Sequence, residues 1–168
     1  MTNTKYVYIT PEEFEKLKGL ASEIANAKTQ VMCYKRDHYK LSERYLLGLC
    51  GELATEKFLN TPVVEWIADD NSHDYPDVKG HNIGVKSHKP FQYPLIPKNI
   101  DYPQIFCEVH LNDQDAHVII EGVATVDCLR GCQDDTLIID PNVRRNGYKT
   151  AFTGFKYLKP IEGVFDYE

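Results

Sequence analysis

Long apolar segments and targeting signals are missing from this sequence. No run approaches the ~20 apolar residues that a membrane-spanning helix needs, and the N-terminus MTNTKYVYIT lacks the basic and then apolar layout of a signal peptide. Internal repeats, low-complexity tracts and serine- or glycine-rich linkers are also missing. We therefore expect a cytoplasmic protein that does not associate with membranes.

The chain is also too short for two full domains. Its 168 residues are close to the ~150 residues of a usual domain, and apolar residues make up 42% of them. The 11 tyrosines, 7 phenylalanines and single tryptophan argue against disorder. We expect residues 1–168 to form a single domain with one sizeable core.

Signals for disulfide, zinc and nucleoside triphosphate chemistry are weak or missing. The five cysteines are odd in number and mostly lie in apolar contexts, which favours reduced thiols. Cys128 and Cys132 form a C-x3-C pair, whereas structural zinc sites usually show two well-spaced pairs of ligands. The histidines lack H-E-x-x-H spacing, and no G-x-x-x-x-G-K-[ST] phosphate loop is present.

Positive charge is in short supply. The 19 lysines and arginines against 25 aspartates and glutamates give a formal net charge of −6. The field of the whole molecule therefore repels nucleic acid. A nucleic-acid site in this chain has to depend on a local basic patch or on bound cations.

Helical periodicity dominates the first third of the chain. A strand is predicted at Lys5 to Ile9, followed by a helix from Pro11 to about Lys35. Thr10 and Glu13 form the capping box that is typical of the start of such a helix. A second helix is predicted from Leu41 to Leu59.

Two glycines, Gly48 and Gly51, lie inside the second predicted helix. Glycine is less favourable than alanine in a helix by ~1 kcal/mol, so we expect another backbone, that of the sheet, to approach closely there. Glu52 lies beside this expected contact.

The periodicity changes from helical to alternating in the middle of the chain. Strands are predicted at Val63 to Ile67, Val78 to Ser87 with a turn at Gly80, Gln104 to Leu111, and His117 to Val126. Prolines between Lys89 and Pro103 predict a connecting loop. The C-terminal third is predicted to be irregular, apart from a strand within Gly154 to Val164.

Acidic residues and a lysine cluster around the predicted hairpin. The segment DYPDVKGHNIGVKSHK carries Asp74, Asp77 and Lys86. A hairpin turn at Gly80 places Asp77 and Lys86 on neighbouring antiparallel strands, with Glu52 on a facing helix. Mg²⁺ prefers oxygen ligands, and a lysine beside it can orient or deprotonate a water and offset charge on a phosphate. These are the parts of metal-assisted phosphodiester hydrolysis.

The arrangement resembles the PD-(D/E)xK nucleases of restriction, repair and phage enzymes. The literal Pro76-Asp77 is present, and Ile83 to Lys86 is similar to the family's next strand with its lysine. Gly51-Glu52 is similar to the GE pair of the family's first core helix. The resemblance extends over the segment from Leu41 to Val126.

The resemblance implies an α/β fold with a restriction-endonuclease-like core, in which a mixed central β-sheet is flanked by helices. It implies a nuclease that hydrolyses phosphodiester bonds in DNA, single-stranded or branched DNA included, in a bacterial or phage-infected cell. Mg²⁺ is the implied cofactor, with Mn²⁺ as its substitute, and a homodimer is compatible with the family. Asp77, Lys86 and Glu52 are the implied catalytic residues, and Asp77, Glu52 and Asp74 are candidate metal ligands.

The chain departs from the family at Gly84, where a second acid is expected two residues before Lys86. Three explanations stay open: the acid has moved to another strand, the other acids and water hold the metal, or the site is inactive. The best candidate for a moved acid is Glu108, which lies opposite the apolar face of its own strand. It approaches Lys86 if the two strands line one cleft. Glu121 is a weaker candidate.

The sequence also contains a local group of basic residues that can offset the unfavourable net charge. Phe91 and Tyr93 lie in the same region and are candidates for stacking on unpaired bases. The candidate nucleic-acid-binding residues are Lys79, His88, Lys89 and Lys98.

Each of these residues has an ordinary alternative as a solvated surface group. For the whole protein, the alternative is a catalytically inactive PD-(D/E)xK-like protein that binds nucleic acid or a protein partner. Gly84 and the net charge of −6 favour this alternative.

Overall fold

The computed structural model describes residues 4–32, 38–67 and 76–168. Within these ranges, no helix combines the length and the apolar character needed to cross a bilayer. Short 3-10 helices cover Asp135–Leu137, Phe155–Tyr157 and Ile161–Tyr167. The other elements, in chain order, are β1 (Lys5–Ile9), α1 (Pro11–Met32), α2 (His38–Leu59), β2 (Gly84–His88), β3 (Leu95–Pro97), β4 (Gln104–Leu111), β5 (Ala116–Ala124), α3 (Val126–Gly131), β6 (Gln133–Asp134), α4 (Pro141–Asn146) and β7 (Lys149–Phe152).

A mixed four-stranded sheet with the order β1-β5-β4-β2 forms the centre of the fold. β2 runs parallel to β4, whereas the other neighbouring strands are antiparallel. On one face, Leu17 of α1 and Leu53 of α2 share a core with Ile105 of β4. On the other face, Phe106 stacks on Phe152 of β7 with ring centroids 4.5 Å apart. The predicted α/β fold with a mixed sheet flanked by helices is confirmed.

A second, smaller sheet with the order β3-β7-β6 packs near that other face. Its strands are antiparallel and only two to four residues long. β3 lies at the edge of this sheet, which is where a strand tolerates a proline such as Pro97. The sheet lies in segments that were predicted to be a loop and an irregular region, because such short strands carry no readable alternation.

The start of α1 follows the predicted capping box. The Thr10 N–H donates to Glu13 Oε1 at 3.0 Å, and the Glu13 N–H donates to Thr10 Oγ1 at 3.2 Å. Lys57 of α2 donates to the same Glu13 oxygen at 2.8 Å, which ties the two helices together. β1, α1, α2, β4 and β5 all lie where the periodicity predicts them, although the predicted end of α1 near Lys35 lies outside the described residues.

The predicted close approach of helix and sheet is confirmed at Gly51 and wrong at Gly48. A Cβ atom on Gly51 would lie 1.9 Å from Ser87 Oγ and 3.3 Å from Cys107 Cβ, so no side chain fits there. A Cβ atom on Gly48 would meet open space. The contact at Gly51 holds α2 directly against β2 and β4.

Two further predicted strands are wrong. Residues 62–67 form no strand, since the N–H groups of Val63 and Val64 donate to Glu56 Oε2 at 2.9 and 3.0 Å. The segment from Gly154 to Val164 forms 3-10 helices, with a single bridge between Val123 and Lys159.

The predicted antiparallel hairpin around Gly80 is also wrong, although a turn is present. Gly80 has a φ of 80°, and the Val78 N–H donates to the Ile83 carbonyl at 3.0 Å. The ladder does not continue, because the Val85 N–H donates to Asp77 Oδ2 at 2.6 Å in place of a strand partner. Asp77 therefore lies in the turn before β2 rather than on a strand.

Candidate functional site

A cleft of about 1240 Å³ lies along the free edge of β2. Its walls come from α2, from the turn before β2, and from β3 and β7 of the smaller sheet. Five of the predicted site residues line it, namely the catalytic candidates Glu52, Asp77 and Lys86 and the nucleic-acid-binding candidates Lys79 and His88. The structure therefore brings the predicted catalytic residues into one cleft.

Glu52 enters the cleft from α2, one residue after the glycine that contacts β2. The close contact at Gly51 fixes the distance between α2 and the sheet. The Glu52 side chain is half-buried on the side of α2 that faces the cleft. Burial raises the pKa of Glu52 well above its ordinary value, and the charges of Asp77 and Glu56 raise it further. No residue in the described ranges donates a hydrogen bond to this carboxylate.

Asp77 is held by the backbone of the strand that follows it. One carboxylate oxygen accepts the Val85 N–H at 2.6 Å. Burial raises the pKa of Asp77, while this hydrogen bond and the positive charge of Lys86 act in the opposite direction. Glu52 and Asp77 thus form a pair of half-buried carboxylates with too little positive charge around them.

Lys86 lies on β2 among other cations. Burial, together with the charges of Lys149 and Arg44, lowers the pKa of Lys86 to about 8 against the opposing effect of Asp77. Within the described part of the chain, Lys86 forms no ion pair, and its amine is more than 4 Å from Asp77. An amine in this environment is neutral in a sizeable fraction of molecules just above neutral pH.

Arg44 and Lys149 are cleft residues that the sequence did not reveal. Arg44 comes from α2 and Lys149 from β7, and both line the cleft near Lys86. Burial and the charge of Arg44 lower the pKa of Lys149. Neither cation is paired with a carboxylate in the described ranges. Three convergent cations without carboxylate partners are typical of a site that takes an anion.

The predicted nucleic-acid-binding residues differ from these three cations, because each of them already contacts a carboxylate. Lys79 pairs with Glu65 at 3.3 Å, Lys89 with Glu43 at 3.4 Å, and Lys98 with Asp135 at 2.7 Å. His88 pairs with Glu121. Binding of a phosphate by these residues requires that the existing pairs open.

Glu108 lies away from the carboxylate pair. β2 and β4 are adjacent, as a moved acid requires, and Glu108 is the register partner of His88. Its carboxylate contacts His110 Nε2 at 2.6 Å and faces His88 and Glu121. Glu108 is not among the residues that line the cleft. Asp74 lies outside the described residues.

The space beside Gly84 is already filled. Gly84 is the register partner of Gln104, and a Cβ atom on Gly84 would lie 2.3 Å from the Gln104 amide nitrogen and 2.7 Å from its oxygen. Gln104 itself is buried. An acidic side chain at position 84 therefore does not fit unless Gln104 moves.

The carboxylate pair fits a hard divalent cation. Glu52 and Asp77 offer oxygen ligands, and one oxygen of Asp77 is already oriented by the Val85 N–H. Burial raises the pKa of both groups, and the charge of Asp77 raises that of Glu52 further, so a divalent cation bound by both carboxylates would relieve the cost of keeping them ionised. Water would complete the coordination shell, since Mg²⁺ usually keeps several waters.

Comparison of the chain with protein-family models, with curated proteins and with solved structures found no match. The cleft is therefore interpreted from its own residues.

Proposed function

We propose that this protein is a metal-dependent nuclease that hydrolyses phosphodiester bonds in DNA, with Glu52, Asp77 and Lys86 as its catalytic residues. The observation that carries the proposal is that one cleft contains both a pair of carboxylates and a group of cations. A half-buried carboxylate pair lies beside three cations that have no carboxylate partner among the described residues. A phosphodiester with a divalent cation satisfies both groups at once, because the carboxylates hold the metal and the cations contact the phosphate.

Glu52 and Asp77 would hold Mg²⁺ or Mn²⁺, which supplies Lewis-acid stabilisation of the phosphate charge when bound. Asp77 is kept in place by the Val85 N–H, and Glu52 by the contact of α2 with the sheet. Arg44 and Lys149 would bind the non-bridging oxygens of the phosphate. These two residues orient the scissile bond.

Lys86 has the protonation behaviour of a general base at mildly alkaline pH. Its pKa of about 8 allows the neutral amine to accept a proton from a water at Nζ. In its protonated form it would stabilise charge that develops on the phosphate. Both roles require the amine to face the same cleft as Asp77, as it does.

Aromatic side chains at the cleft favour unpaired DNA as the substrate. Phe91 is fully exposed and Tyr93 is half exposed, and both line the cleft. Exposed rings beside a cationic groove stack on bases, which are accessible only in single-stranded or branched DNA. The overall charge of −6 is then offset locally by the metal and by the cations of the cleft.

The experiment measures cleavage of single-stranded, duplex and branched DNA in Mg²⁺ or Mn²⁺. Asp77→Asn and Glu52→Gln keep the shape of each side chain and remove the charge that holds the metal. Lys86→Met should lower the rate by about 10²–10⁴-fold, the usual contribution of a general base. Lys5→Met is the matched control, because Lys5 pairs with Glu162 and does not line the cleft.

Survival of cleavage in both Asp77→Asn and Lys86→Met would contradict the proposal. Absence of cleavage by the wild-type protein in either metal would favour the second candidate, a catalytically inactive protein that binds nucleic acid or a protein partner. The Gln104 side chain beside Gly84 is the observation that favours this candidate, because it fills the space of a further acid.

A further inference from the structure

Three neighbouring strands each present one metal-ligating side chain to a common point on the face opposite α2. The residues are His88 on β2, Glu108 on β4 and Glu121 on β5. One ligand atom of each lies within 4.8 Å of the other two. Glu108 and Glu121 of this His-Glu-Glu cluster are not among the residues that line the cleft of the Glu52–Asp77 pair, whereas His88 is.

The strand pairing explains why these residues converge. His88 and Glu108 are register partners in the parallel pair of β2 and β4. A β-bulge lies between Phe106 and Cys107, and Glu121 is the residue of β5 that the bulge leaves without a register partner. Bulges of this kind re-aim side chains and are frequent beside functional sites.

The backbone at the bulge depends on a glycine. Gly122 follows Glu121 and has a φ of 141°, and a Cβ atom there would lie 2.7 Å from the Lys159 carbonyl oxygen. No other residue type fits this position without strain. The orientation of Glu121 is therefore built into the strand.

His88 has the hydrogen bonding of a metal-binding histidine. Only 6% of its surface is exposed, and Nδ1 lies 2.8 Å from the Lys89 carbonyl oxygen. A carbonyl oxygen only accepts, so Nδ1 must carry a proton, which leaves Nε2 directed at Glu121 Oε1. A neutral imidazole and a carboxylate both offer lone pairs at that contact, so either a second ring proton, which makes the His88–Glu121 ion pair, or a shared metal ion has to join them. Histidine ligands of metals commonly donate their other N–H to a backbone carbonyl in this way.

The surroundings of the cluster suit an ion that enters from solvent. Glu108 and Glu121 keep 25% and 17% of their side-chain surface exposed. Phe155 packs its edge against the His88 ring, with centroids 5.4 Å apart, and closes the inner side. His110 contacts Glu108 at 2.6 Å and orients that carboxylate from outside.

We propose that His88, Glu108 and Glu121 form a second metal site, which binds a transition ion such as Zn²⁺ or Mn²⁺ in preference to Mg²⁺. One imidazole and two carboxylates are a donor set typical of such ions, whereas Mg²⁺ selects oxygen ligands. The site does not depend on the proposed nuclease activity. An ion there would tie together three strands of the sheet.

The test titrates Co²⁺, as a spectroscopic substitute for Zn²⁺, into the full chain and records visible absorption. We expect d–d bands that Zn²⁺ abolishes and that excess Mg²⁺ leaves in place. Glu121→Gln and Glu108→Gln, two variants of nearly unchanged shape, should each weaken Co²⁺ binding by about 10-fold or more. The Glu52→Gln/Asp77→Asn double variant is the matched control and should keep the bands.

Three results would overturn the proposal. Bands that both glutamine variants retain, in protein whose circular dichroism matches the wild type, would place the ion elsewhere. An intense near-ultraviolet charge-transfer band would place it on cysteine thiolates. A wild-type protein without bands, whose His88 carries protons on both ring nitrogens by NMR, would show that the cluster is an ion pair of His88 with Glu121 only.

Discussion

Substitution of Lys86 by methionine should make the protein more stable while removing its activity. Methionine keeps much of the lysine's length and removes a charge that lies near Arg44 and Lys149 in the cleft. The pKa of Lys86 is lowered from 10.5 to about 8 in the folded protein. At about 1.4 kcal/mol per pKa unit, the folded state disfavours the charged amine by about 3 kcal/mol.

The attraction to Asp77 is already contained in this value, and repacking of methionine in the space of the lysine side chain lowers the net gain by up to about 1.5 kcal/mol. We expect Lys86→Met to raise the free energy of unfolding at pH 7 by about 1–2 kcal/mol, which corresponds to an increase in Tm of roughly 2–6 °C for a domain of this size. The measurement is thermal or urea unfolding monitored by circular dichroism.

The size of the effect changes predictably with pH. Below pH 8 the amine is charged in both the folded and the unfolded states, so the full penalty is present. Between pH 8 and 10.5 the folded state binds fewer protons than the unfolded state, and wild-type stability therefore rises with pH through the contribution of Lys86. The advantage of the variant should shrink over this interval.

Lys79→Met provides the matched control. Lys79 is half exposed and pairs with Glu65 at 3.3 Å, and such surface pairs contribute only about 0–1 kcal/mol. Lys79→Met should show no comparable gain in the free energy of unfolding. Its difference from the wild type should also stay the same at alkaline pH. A Lys86→Met protein that is less stable than the wild type at pH 7, or whose stability difference stays constant from pH 7 to about 10, would refute the reasoning.

Three further predictions follow from the same contacts. The value of kcat/KM for DNA should rise with pH up to about 8, because Lys86 has to lose its proton to act as a base, and a rate that falls over this range would exclude that role. Lys149→Met should raise KM and move the midpoint of this profile to higher pH, because Lys86 loses a like-charged neighbour; an unchanged midpoint would contradict it. Gly51→Ala should destabilise the protein by about 1–3 kcal/mol through overpacking against Ser87. Gly48→Ala, which meets open space, should instead stabilise it by up to about 1 kcal/mol, and equal effects of the two changes in denaturant unfolding would be inconsistent with the packing.

Much of the main sheet and both long helices could be predicted because their signals are local. The capping box of Thr10 and Glu13 and the alternation of Gln104–Leu111 are visible in a few neighbouring residues. The smaller sheet could not be predicted, since two to four residues are too few to show a period. The failed strand at Val63 likewise depends on a distant side chain, that of Glu56.

The acidic residues and the lysine of the candidate site could be predicted from the sequence, whereas its other cations could not. Glu52, Asp77 and Lys86 lie in short segments whose composition is itself informative. Arg44 and Lys149 come from opposite ends of the chain and meet only through packing of α2 and β7 around the cleft. The contact of Glu121 with His88 was hidden for a similar reason, because it crosses three strands and involves a bulge.

The most direct test of the central claim is the rate of single-stranded DNA cleavage measured against Mg²⁺ concentration for the wild type and for Asp77→Asn. Asp77 accepts the Val85 N–H and feels the charge of Lys86, and in the proposed mechanism its carboxylate serves both metal binding and catalysis. We predict a rate that saturates with Mg²⁺ in the wild type and is lost in the variant at every concentration. Equal rates for the two proteins, or wild-type cleavage that continues in excess chelator, would contradict the account.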